Sequence, residues 1–353
     1  EKHSNQGDHS GNSRNGSYRK QIQTEMGKSV IQVPRDREGE FEPIVVPKHQ
    51  SRGLSIERLV ISLYAKGMSV ADIESEMQEI YGINLSTSAI SIITNKVSQA
   101  ATEWQNRPLD SLYMIVWMDG IVFKVRENGK VINKTVYLCV GLNKEGLKEV
   151  LGMWIGKNES AAFWMGVLTD LKARGVEDIL ITVTDNLNGF TETIKSVFPA
   201  STTQICVVHQ IRNSCRYVVW KEKKEFTADL KNIYNAPTKE AAEMELDNFE
   251  QKWGAKYPYA IRSWRNNWEE LTVFFDFPVE IRKIIYTTNL IENLNGKIRK
   301  YTKNKLSFPN DDALKKSVYL AINEIEKKWY QPIWNWALIF NQFITIFENR
   351  IQV

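Results

Sequence analysis

An α/β core behind a small helical module is the fold class predicted for this chain of 353 residues, on three observations. Tyr113 to Asp119 and Asp178 to Asp185 are short, nearly continuous apolar runs, the pattern of strands buried on both faces, and each ends in a carboxylate. Stretches of helical period separate and follow the strand patterns, as layered α/β architectures require. Residues 55 to about 100 hold helical patterns alone, punctuated by glycine.

Taken in order, the first segment is residues 1–50. Its opening is rich in Gly, Ser and Asn and reads as a flexible lead-in, and alternation in QIQTEMGKSVIQVP predicts a small hairpin around Met26-Gly27. Residues 51–108 form the helical module. Leu59, Ile61, Leu63 and Tyr64 belong to a helix that stops at Gly67; Ser69 caps a second, which stops at Gly82; Ser86 or Ser88 caps a third. Three short helices with tight turns match a helix-turn-helix, whose last helix offers Ser88, Ser91, Thr94, Asn95 or Lys96 to a major groove. A three-helix packing module is the plain alternative.

Residues 109–210 and 286–330 are assigned to the core. The strand ending at Asp119 is followed by a hairpin around Asn128-Gly129, a strand in KEVLGMWIG, a helix in SAAFWMGVLTDLKARG, the strand ending at Asp185, a helix in NGFTETIKSVF and a strand in TTQICVVH. The expected order is β-β-β-α-β-α-β. Residues 211–285 read as helical throughout, and residues 331–353, set off by Pro332, as an aromatic helical tail suited to packing on the core or to dimerisation.

Composition excludes several classes. Forty-six Lys and Arg against 42 Asp and Glu leave +4, which permits a nucleic-acid partner without requiring one. No apolar run approaches the roughly 20 residues of a membrane span, and no signal-peptide pattern leads the chain, so a soluble cytoplasmic protein without membrane contact is expected. Cys139, Cys206 and Cys215, odd and sparse, fit reduced thiols. The chain starts at Glu1 rather than Met, which leaves room for residues upstream.

The chemistry concentrates in three acids. Asp119 and Asp185 at strand ends, with Glu292 set among amides in IYTTNLIENLNGKIRK, suit a hard divalent cation such as Mg²⁺. Taken alone, Asp185 is equally well explained as a cap for the turn or helix that follows. Cys206 and His209 suggest zinc only if two further ligands exist, and Cys215 is the sole other one nearby in sequence. Trp220, Trp253, Trp264 and Trp268 fit core packing; the alternative is a base-stacking platform, best placed in SWRNNW beside Arg262 and Arg265. Lys297, Arg299, Lys300, Lys303 and Lys305 read as phosphate contacts or as a solvated face. On a helix, Glu292, Asn295 and Arg299 share one face, so the acid can reach metal while the amide and cation meet a DNA strand.

VWMDGIVFKVRENGKV, NKEGLKEVLGMWIG, ILITVTDNLNGF, CVVHQIRNS and IYTTNLIENLNGKIRK together resemble the Mutator-type transposases of bacterial insertion sequences, and the likeness includes VPRDREGEFEP and EWQNRPLD. The resemblance implies a ribonuclease-H-like core interrupted by an all-α insertion over 211–285, an N-terminal helix-turn-helix DNA-binding domain, and a DDE triad. Carried over residue by residue, the triad falls on Asp119, Asp185 and Glu292, with a long second gap, and a Cys-x-x-His element falls on Cys206 and His209. It implies two Mg²⁺ per site, with Mn²⁺ as a substitute, Asp119 bridging them, and in-line phosphoryl transfer in which water first frees a 3′-hydroxyl that then attacks a second phosphodiester. The implied partners are double-stranded DNA, as terminal inverted repeats and target, and a second copy of the chain, since two ends must be held; a nucleoid-associated bacterial protein is expected. Expected DNA contacts are Arg212, Arg265, Trp264, Trp268, Asn295, Lys297, Arg299, Lys300, Lys303, Lys305, Ser91 and Lys96. Asn186, Asn293 and Gly296 depart from the usual pattern beside the second and third acids without removing a ligand. A DNA-binding regulator derived from such an enzyme, or a nuclease without strand transfer, is the alternative.

Overall fold

The computed structural model describes residues 14–24, 27–43, 54–187, 189–286 and 289–351. The chain forms two compact units, residues 1–100 with 301–305 and residues 101–300 with 306–353.

In the first unit, β1 (Arg14–Thr24) and β2 (Gly27–Asp36) pair antiparallel, Thr24 opposite Gly27. The hairpin stands where alternation placed it, although Met26 and residues 1–13 lie outside the described residues. Its first strand begins at Arg14, inside the segment expected to be flexible. Cross-strand partners overrule composition there: Ser17 Oγ donates to Gln32 at 3.1 Å and Arg35 Nε to the Asn15 carbonyl at 2.8 Å.

Three helices follow, α1 (Leu54–Ala65), α2 (Val70–Glu79) and α3 (Thr87–Gln105). Ile56, Val60, Leu63 and Tyr64 form the buried stripe of α1, so the core face is turned from Leu59 and Ile61, which are half-buried. Ile73 and Met77 of α2 and Ile90, Ile93 and Val97 of α3 are buried as well. Ser69 and Asp72 close a capping box at 3.1 and 3.0 Å, and Ser86 Oγ accepts from Ala89 N at 3.2 Å, as the caps predicted. Gly67 turns at φ +96°, and a Cβ there would collide with the Tyr301 carbonyl. Thr94 is buried and donates to the Ser91 carbonyl at 3.0 Å, which withdraws it from any groove-reading role.

The second unit is built on one sheet of β3 (Leu112–Glu127), β4 (Lys130–Leu142), β5 (Lys148–Gly156), β6 (Asp178–Thr184) and β7 (Thr202–Ile205), in the spatial order β5-β4-β3-β6-β7. β3, β4 and β5 are antiparallel neighbours, whereas β6 and β7 run parallel to β3. The helices α4 (Ala161–Ala173) and α5 (Phe190–Val197) are the crossovers. Their Trp164, Leu168, Leu171, Phe190 and Ile194 bury against Val116, Met118 and Tyr137 of the sheet. Asn128 and Gly129, at φ 49° and 78°, make the tight turn between β3 and β4.

One expectation needs correcting: the strand does not stop at Asp119. β3 runs eight residues further, to Glu127, because β4 pairs with it along that whole length while β6 does not. After Asp119 its burial alternates, so the apolar run ended where the parallel neighbour ends rather than where the strand does.

Between residues 207 and 302 the described elements are helices, among them α6 (Val207–Cys215), α7 (Lys223–Tyr234), α8 (Lys239–Trp253), α9 (Pro258–Asn266), α10 (Trp268–Thr272), α11 (Val279–Ile285) and α12 (Asn289–Thr302). Phe226 meets Phe249, Trp253 and Tyr257 edge-on, a core separate from that of the sheet. Beyond lie α13 (Asp311–Glu326) and α14 (Trp336–Ile346). Glu326 accepts from Val150 N at 2.7 Å, Phe347 stacks on Phe277, and Arg350 grips both oxygens of Asp178 at 2.8 Å, so the tail packs on its own unit. No described helix is long and apolar enough to cross a membrane.

Candidate active site

Strand register brings the first two acids together. Val183 of β6 pairs with Trp117 of β3, so Asp185, two residues on, falls level with Asp119. Alternation along β3 sends Met118 into the core under α4 and α5 and Asp119 to the opposite face, where α12 approaches. Gly120 follows because β4 crowds it: a Cβ there would stand 2.7 Å from Thr135 Cγ2.

The third member stands on α6, just after β7. Thr184 pairs with Ile205, Cys206 N donates to the Thr184 carbonyl at 2.8 Å, and Cys206 Sγ accepts from His209 N at 3.4 Å as the cap of α6. This swings His209 Nδ1 to 2.5 Å from Asp185 Oδ1, and neither atom has a regular hydrogen bond to another group. One ligand atom each from Asp119, Asp185 and His209 lies within 4.8 Å of the others. The Cys-x-x-His pattern is therefore a helix cap that delivers a histidine to the acids, and Cys206 Sγ is not one of the converging atoms.

The electrostatics are those of a crowded anionic site. Burial, then the neighbouring Asp185 carboxylate, raises Asp119 to about 7. Burial opposes charge on His209, but the Asp185 carboxylate and Cys206 together outweigh it and lift the imidazole to about 11. Asp119 Oδ1 accepts from Gly120 N at 2.7 Å and Oδ2 from Asn295 Nδ2 at 2.6 Å.

Two expectations about α12 change. Glu292 faces the site closely enough to raise Asp119, yet Arg212 of α6 holds both its oxygens, at 2.6 and 3.0 Å, and it lies outside the converging set. Asn295, expected on DNA, points its amide at Asp119. Arg212 and Asn295 thus belong to the site through contacts between distant segments, for which the sequence carries no spacing signal.

Other expected contacts lie elsewhere. Trp264 and Trp268 are 2% and 8% exposed, Trp264 donating to Ser214 Oγ at 3.0 Å; helical core claims both, and neither offers a face to a base. Trp253 is buried likewise, whereas Trp220 is 85% exposed. Arg265 is tied to Asp247 and Glu250. Lys297, Arg299 and Lys300 lie on the exposed side of α12, and Lys297 is near enough to Lys148, itself partly buried, to help push that ammonium down. In the first unit Ser91 is half-buried, Lys96 pairs with Glu57 at 2.7 Å, Lys303 is exposed, and Lys305 lies 3.8 Å over the Tyr64 ring.

The family model for transposases of the Mutator family matches residues 1–332. A probable transposase for insertion sequence element ISRM3-like of Sinorhizobium fredii is 43% identical over 96% of this chain and 85% of its own length. The transposase for insertion sequence element ISRM3 of Rhizobium meliloti matches to the same extent. The transposase for insertion sequence element IS905 of Lactococcus lactis is 34% identical over 93% of this chain and 83% of its own.

Proposed function

The chain belongs to the Mutator family of transposases, and from that premise we propose a metal-dependent enzyme that cleaves DNA at the terminal inverted repeats of an insertion sequence and transfers the freed strand, with Asp119, Asp185 and Glu292 as its catalytic carboxylates. The in-register convergence of Asp119 and Asp185 with His209 carries this proposal. The sheet supports a ribonuclease-H-like core, three antiparallel strands continued by two parallel ones, with residues 211–285 as its helical insertion.

The two carboxylates suit Mg²⁺, with Mn²⁺ as a substitute: Asp119 and Asp185 converge, and Asp119 resists ionising beside Asp185, whereas His209, lifted to about 11 despite burial by its contacts with Asp185 and Cys206, is a neighbouring cation and not a ligand. Asp119 and Asp185 would hold the ion with His209 beside them, and a second ion would draw on Glu292. When bound, a divalent cation neutralises the acids and polarises a phosphodiester oxygen. Asn295 fixes the rotamer of Asp119 by donating to Oδ2, and His209, on the capped first turn of α6, orients Asp185. Arg212 releases Glu292 toward the acids when a DNA phosphate competes for its guanidinium. Lys297, Arg299 and Lys300, on the helix that carries Glu292, bind backbone phosphates.

Within the first unit, α3 acts as the recognition helix of a helix-turn-helix, presenting Ser91 and Lys96, and Lys303 and Lys305 add backbone contacts. A homodimer holds the two element ends. The test is labelled terminal-repeat DNA with Mg²⁺ and the variants Asp119→Asn, Asp185→Asn and Glu292→Gln. Each variant is expected to bind the DNA but neither cleave nor join it; strand transfer surviving in any of the three would sink the assignment of that residue.

A further inference from the structure

The C-terminal end of α6 and the adjoining α9 carry a second surface. Tyr217 and Tyr259 are 65% and 67% exposed, yet their rings stack on each other, centroids 5.8 Å apart and planes 27° from parallel. Arg262 lies over the Tyr259 ring, 5.6 Å from its centroid. Arg216, Asn213 and Ser263 line the same cleft, of ≈ 250 Å³, and no carboxylate is among the described residues lining it.

The cleft lies at the far end of the helix that carries His209 and Arg212 of the candidate active site. His209, Arg212 and Arg216 are at i, i+3 and i+7 on and just after α6, one face of the helix. Seven steps of 1.5 Å span roughly 10 Å, about three stacked nucleotides at ~3.4 Å each. Two arginines, Arg212 and Arg216, therefore lead from the acids toward an exposed aromatic pair. Duplex DNA keeps its base faces covered, so a stacking surface of this kind is of use only to a base outside the helix. Absence of acid from the lining matches a polyanion.

Resting on the DNA-cleaving function proposed above, we propose that Tyr217 and Tyr259 stack an unpaired base of the DNA end, with Arg216 and Arg262 on its flanking phosphates. The buried Trp264 and Trp268 leave this role to the tyrosines.

The test uses the full chain and terminal-repeat duplexes that are blunt or carry a three-nucleotide single-stranded extension containing 2-aminopurine. Wild type is expected to prefer the extended duplex by roughly 10-fold, the size of one base stack, and to quench the fluorophore. The double variant Tyr217→Ala/Tyr259→Ala should lose the preference and the quench while binding blunt duplex normally, and Tyr217→Phe/Tyr259→Phe should keep both. An alanine pair that still discriminates and quenches overturns the proposal, as does one whose only change is loss of dimer, which would make the tyrosines a contact between copies. Cleavage is measured alongside with Asp119→Asn: if the alanine pair leaves discrimination intact and Asp119→Asn alone stops cleavage, the stacking proposal falls and the activity stands. Cleavage persisting in Asp119→Asn strikes at the activity instead.

Discussion

Asp119 is where the chemistry and the stability of the protein pull against each other. Its carboxyl is raised from 3.8 to about 7 by burial and by Asp185. A carboxyl that titrates higher folded than unfolded favours the native state in its protonated form, so that contribution is present at low pH and lost as pH rises from about 4 through about 7. Without metal, Asp119→Asn should therefore raise the melting temperature at pH 8 by several degrees and by less at pH 5; melting curves in chelator at both pH values check this, and an equal gain at both contradicts it. Metal demands the ionised form, so affinity for Mn²⁺ should fall as pH drops below about 7, as calorimetric titration would record. Asn295 acts one contact further out. Removing its amide in Asn295→Ala leaves Asp119 without the Oδ2 donor, and the Mn²⁺ affinity should drop about 10-fold, within the range usual for partners of metal ligands.

At the level of elements, local signals survived and long-range ones did not. The caps of Ser69 and Ser86, the Asn128-Gly129 turn and the two buried strands depend on a few neighbouring residues, and each was legible. The strand at Arg14 depends on Gln32 and the Asn15–Arg35 bond, and the true length of β3 on β4, so composition and apolar pattern misjudged both. In the site, the two aspartates could be found because each closes a buried apolar run, which is a local signal even though only Asp185 stands at a strand end. The Arg212–Glu292 pair and the Asn295–Asp119 bond join residues 80 and 176 positions apart, which no periodicity records. The core-packing reading of Trp264 and Trp268 holds and their alternative place as DNA contacts does not, because aromatic composition does not say which face a short helix buries. The turn after α1 offers a test at this scale. Gly67→Ala forces a side chain into a positive-φ position against the Tyr301 carbonyl, and about 1–3 kcal/mol of destabilisation is expected from strain of this kind, readable by chemical denaturation. An unchanged midpoint would show that the turn adopts another conformation.

Across the whole molecule, charge is nearly balanced at +4, so affinity for DNA must come from where the cations sit rather than from their number. Lys297, Arg299 and Lys300 collect on the helix that also carries Glu292 and Asn295, so under the proposed function one element would both complete the acids and meet the phosphates. Lys300→Ala should weaken binding to duplexes of any sequence alike and reduce the slope of log affinity against log salt by about 1; a loss confined to one sequence contradicts a backbone contact. Everything turns on a cation held between the first two acids. The direct measurement is anomalous diffraction from crystals soaked in Mn²⁺, for wild type and Asp119→Asn. The expected result is a peak at coordinating distance, roughly 2.1 Å, from carboxylate oxygens of both Asp119 and Asp185, absent in the variant; a peak bound elsewhere, or one that persists in Asp119→Asn, would contradict the metal centre.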